Sequence, residues 1–65
     1  MNWQDIAKNL ILGNKLQTAI TVMRLNKVDV GEYQKSFDKL STLKGAEKLD
    51  EEDTLAALML ASLRN

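Results

Sequence analysis

Apolar side chains recur every three or four positions along nearly the whole chain and nowhere sustain an alternating pattern. That spacing stacks them on one side of a 3.6-residue helix, whereas a half-buried strand needs a period of two. No Pro interrupts the pattern, and the three Gly, at positions 13, 31 and 45, stand isolated as punctuation. The expected fold class is therefore all-α: a compact array of four short helices over residues 3–12, 15–25, 30–43 and 51–63, forming a single helical domain across 1–65.

Local signals place the boundaries. Trp3, Ile6, Ala7 and Leu10 form one apolar stripe, and Leu16, Ala19, Ile20 and Met23 form another. Continued as one straight helix, the two stripes point roughly 140° apart and share no face. The pair Gly13-Asn14 lies between them, with Gly suited to a left-handed residue after a helix end and Asn to a new N-cap. Gln17, three residues past Asn14, has the spacing of a capping box. The chain is expected to break there into two helices, a single helix kinked at Gly13 being the alternative. Asp29 is the expected cap of the third helix, with Glu32 closing a box and Val28 against Tyr33 as a hydrophobic staple. Gly45 is expected to stop that helix.

The acidic run Asp50-Glu51-Glu52-Asp53 comes just ahead of the apolar segment Thr54 to Leu63. Carboxylates in a first turn face free N–H groups and the positive end of the helix dipole, so this run is expected to start the fourth helix. As a metal site it is poor. Four consecutive helical residues splay through about 300°, and the spaced oxygen ligands of a calcium loop are absent.

Composition removes several function classes. With no Cys, the chain has neither disulfides nor thiolate metal sites, and with no His it lacks the commonest general base near neutral pH. The hydroxyls of Ser36, Ser41, Ser62, Thr18, Thr21, Thr42 and Thr54 have no His to activate them. No Gly-rich phosphate loop is present. The reading is non-enzymatic: no catalytic residue, no cofactor, no metal and no small-molecule substrate are expected. No apolar run approaches the roughly 20 residues that span a bilayer. Residues 2–5 carry no basic side chain of a leader peptide, so no membrane association and a cytoplasmic location are expected.

Net charge is zero but sorted. Residues 1–27 carry Lys8, Lys15, Arg24 and Lys27 against Asp5; residues 47–65 carry Glu47, Asp50, Glu51, Glu52 and Asp53 against Lys48 and Arg64. The two ends thus differ in sign and attract, within one chain or between two.

The expected core comprises Ile6, Leu10, Leu16, Ile20, Met23, Tyr33, Phe37, Leu40, Leu55, Leu58 and Met59. That leaves Ile11, Val22, Leu25 and Leu60 off the stripes, with Trp3 near the chain start. A 65-residue chain that is 45% hydrophobic buries only about 60% of its unfolded surface, so apolar side chains exceed the interior available. Trp3, Ile11, Val22, Leu25 and Leu60 are the candidate interface. The expected function is a small helical interaction protein, an adaptor or regulator, working through an apolar helical face as a homodimer or with another protein partner. The alternative is a helix-turn-helix-like DNA-binding regulator using helix 30–43, with Lys27, Lys35 and Lys39 as contacts. Glu32 and Asp38 dilute the basic face that phosphate contacts require.

Overall fold

The computed structural model describes residues 2–64. It contains α1 (Trp3–Leu12), α2 (Leu16–Leu25), α3 (Gly31–Lys39), a 3-10 turn (Leu40–Thr42) and α4 (Gly45–Leu63). The fold is an all-α array of four helices. Each helix packs on the next in sequence, and α4 returns to close against α1. With 19 residues, α4 is about 28 Å long in a molecule whose longest extent is 35 Å.

Residues 3–12 and 15–25 form two separate helices, but the break works differently from the expected one. Gly13 keeps an ordinary φ of −87° as the C-cap of α1. Asn14 takes the left-handed position at φ 59°. The Asn14 N–H donates to Ile11 O (3.0 Å) and the Lys15 N–H to Leu10 O (2.8 Å), a Schellman pair that occupies two free carbonyls. Asn14 therefore caps no new helix. The N-cap of α2 is Lys15, without a side-chain bond, and Gln17 closes no capping box there. The Gln17 amide instead exchanges two hydrogen bonds with Gln34 (3.0 and 2.7 Å), tying α2 to α3. At the other end of α1, Asn2 accepts from the Asp5 N–H (2.9 Å) and is a true N-cap.

The end of α2 repeats the Schellman geometry. Lys27 N–H donates to Arg24 O (3.0 Å) and Val28 N–H to Met23 O (3.1 Å), with Lys27 left-handed at φ 70°. Asp29 then accepts from the Gly31 N–H (3.1 Å), so it does serve the start of α3, although Val30 occupies the cap position.

Two boundaries differ more. The helical span expected to run unbroken to residue 43 tightens after Lys39 into the 3-10 turn. Ser41 Oγ donates to Asp38 O (2.9 Å) and Thr42 Oγ1 to Lys39 O (2.7 Å), so local hydroxyls take carbonyls at the helix end. Gly45 does not stop this helix. It begins α4 in a left-handed conformation (φ 62°) after extended Lys44, turning the chain into its longest element. Ala46, Glu47, Lys48 and Leu49 are good helix formers, so α4 starts six residues before the expected position 51. Asp50 to Asp53 consequently lie in its second and third turns, and the acid of the first turn is Glu47.

The core is Ala7, Ile11, Leu16, Ala19, Ile20, Met23, Val30, Leu40, Leu55 and Met59, with no buried polar side chain among the described residues. Leu10, Tyr33 and Phe37 are partly buried against it. Two expected core members stand outside: Ile6 is 39% exposed and Leu58 55%. Each lost its place to a neighbour on the far side of the stripe. In α1 the buried pair is Ala7 and Ile11; in α4, Leu55 and Met59 face inward with Leu60 half-buried beside them.

A left-handed non-Gly residue costs about 1–2 kcal/mol. Lys27→Gly is expected to raise the melting temperature by about 2–8 °C. Lys27→Val, with a β-branched side chain in the same conformation, is expected to lower it; thermal denaturation followed by circular dichroism reads both.

Candidate functional site

The α1–α4 contact leaves a groove on its outer side. Toward one end it is lined by Gln4, Asp5 and Lys8 of α1 with Leu63 and the adjoining Arg64. Toward the other it is lined by Ile11 and Asn14 with Leu49, Glu52, Asp53 and Ala56. Leu12 and Leu60 border both stretches, so the two depressions adjoin along the α1–α4 seam. Early residues of α1 face late residues of α4, so the helices run antiparallel along it.

The groove is apolar along its length and charged toward its ends. Leu12 is 68% exposed and Leu49 62%. Leu60, Leu63 and Ala56 are half-buried beside them, resting on the core. Isolated exposed leucines are ordinary, but several sharing one depression form the kind of patch that marks an interface. α4 explains the arrangement. From Leu55 onward it carries apolar residues on more than one side, which is the pattern of a helix covered by more than one neighbour. Within the subunit, α1 and the α3 region cover only part of it.

The five residues expected to form the interface do not form one patch. Ile11 is a correction: only 3% exposed, it belongs to the core and touches the groove only at its floor. Its place off the expected stripe reflects the choice of Ile6 as a stripe member. Leu60 lies in the groove, half-buried. Trp3 and Val22 are half-buried against the core; Trp3 borders a separate, smaller depression with Val28 and Ser62. Leu25 is the most exposed, at 72%, but it lies at the end of α2 and lines no part of the groove. The residues that sequence reasoning missed are Leu12 and Leu49. Leu12 was detectable as an apolar residue off the α1 stripe; Leu49 joins a helical face only once α4 is known to begin at Gly45.

Lys27, Lys35 and Lys39 are all exposed. Lys27 sits in the turn before α3, and Lys35 and Lys39 are one turn apart on it. The amide on that helix, Gln34, is already engaged by Gln17 and by Asp38 Oδ1 (3.0 Å). No cluster of three or more acidic side chains suited to a metal ion occurs among the described residues. No described helix is long and apolar enough to cross a membrane. Compared with protein-family models, with curated proteins and with solved structures, the chain matches none.

The groove's floor and rim should respond differently to truncation. Ile11→Ala is expected to cost about 2–5 kcal/mol, as for a buried aliphatic side chain. Leu12→Ala, one residue away, is expected to change monomer stability by no more than about 0.5 kcal/mol. Urea denaturation at low protein concentration separates the two.

Proposed function

We propose that this chain is a non-enzymatic interaction protein, a small adaptor or regulator, that works by docking the apolar α1–α4 face as a homodimer. The observation that carries the reading is the placement of Leu12 and Leu49, both mostly solvent-exposed, along the same α1–α4 seam as half-buried Leu60 and Leu63. Covering the exposed part of each of the two leucines contributes about 1–2 kcal/mol. A symmetric pair doubles that sum, and the half-buried residues add to it. Association costs about 4–15 kcal/mol in lost freedom, so the expected dimer is modest in affinity and depends on concentration.

Sedimentation equilibrium up to on the order of 100 µM tests this. The wild-type chain is expected to move from monomer toward twice the monomer mass as concentration rises. Leu12→Lys and Leu49→Lys, both at positions that already tolerate water, are expected to retain the helical circular dichroism spectrum and remain monomeric. Monomeric wild-type protein across the range, or unimpaired association of both variants, would remove the reading.

A further inference from the structure

Resting on that homodimer reading, the charge at the two ends of the groove specifies how the second copy lies. At one end Asp5, Lys8 and Arg64 line the groove, one negative and two positive charges, a net +1. At the other end stand Glu52 and Asp53, a net −2. Between them the lining is apolar or neutral. A second copy laid parallel in the groove would set like ends together, which is repulsive at both. A two-fold axis perpendicular to the groove, near Leu12 and Leu60, reverses the partner and sets each +1 end against a −2 end. We infer that the groove is an isologous interface in which two copies pair antiparallel, Lys8 and Arg64 of one facing Glu52 and Asp53 of the other, with Leu12 and Leu60 sealed between and Leu49, one turn before Glu52, laid against the Gln4 end of the partner copy.

An isologous contact uses the same patch on both subunits, so the patch must be complementary to itself under a two-fold rotation. This groove meets that condition in both of its properties. Its apolar middle is unchanged by the reversal, and its charged ends exchange. The lysine, the arginine and Asp53 are exposed, so each can reach across an edge without leaving its helix. Rim charges of this kind set register and association rate more than they set affinity, and the leucines supply the attraction. Added salt is therefore expected to weaken the dimer while leaving it apolar-driven.

The test uses two exposed-end variants of the full chain. Lys8→Glu with Arg64→Glu makes both ends negative. Asp53→Lys with Glu52→Gln makes both ends positive. Each alone is expected to raise the dimer dissociation constant by roughly tenfold or more through like-charge contact. An equimolar mixture is expected to restore association as a heterodimer, read by native mass spectrometry, because each contact then joins opposite signs. If the wild type dimerises and Leu12→Lys abolishes it, but the charge variants pair with themselves as well as the wild type does, the antiparallel register is overturned and the apolar-face reading stands. If the wild type is monomeric, the homodimer reading falls and the register falls with it.

Discussion

The closure of α4 onto α1 is the contact on which the remainder of this structure rests. It joins the two ends of the chain, and without it the ring of helices would be an open string of pairs. It also decides which residues count as interior. Ile11 is buried between the first helix and the others, and Leu55 and Met59 complete the core from the α4 side. The same closure creates the groove, because two antiparallel helices laid side by side leave a trough between their outward faces. What fills that trough is set by residues just beyond the core stripe: Leu12 next to Ile11, and Leu60 next to Met59.

The closure also explains what could and could not be read from sequence. The helical type follows from spacing, because a three-and-four repeat excludes strands, while the number of helices depends on the break at Gly13-Asn14. The first span, 3–12, matches, and the second differs by one residue. Faces were harder. In α1, Ile6 and Ile11 both extend the motif begun by Trp3, Ala7 and Leu10, yet they point about 140° apart on the helix. Periodicity cannot choose between them; the packing of α2 and α4 against α1 does. The same ambiguity pits Leu58 against Leu60. Leu12 shows in the sequence only as an apolar residue off the α1 stripe, and its pairing with Leu49 is illegible there, since a groove between the first and last helices is a property of their packing.

The helix ends show a second limit. Glycine is the usual marker of left-handed backbone, but of the three glycines only Gly45 adopts it, and it begins a helix. The stops after α1 and α2 use Asn14 and Lys27. Asn reaches that region at modest cost, so a Gly-Asn pair offers two registers for the same motif. Lys27 carries no such signal. Its strain is tolerated because the two Schellman hydrogen bonds and the burial of Met23 hold the turn from both sides. The early start of α4 has a related cause: nothing between Ala46 and Leu49 opposes a helix, and Glu47, Glu51 and Glu52 favour it enough to carry Asp50 and Asp53 in a longer run.

These features bear on why so small a chain carries so much apolar surface. The core of ten buried residues includes two alanines and no aromatic side chain. The three aromatic residues sit half-buried at its margin. A larger interior would need longer helices or more of them. This chain instead leaves Leu25 and Leu58 exposed elsewhere and sets Leu12, Leu49, Leu60 and Leu63 where α1 and α4 already hold each other, so a surface placed there rests on that contact. Rigidity matters for weak docking, because side chains already held in place lose less freedom on association. A leucine such as Leu25, alone at a helix end, gains no such support from neighbours. The groove's case as a docking surface thus rests on its foundation in the closing contact as much as on its exposed area.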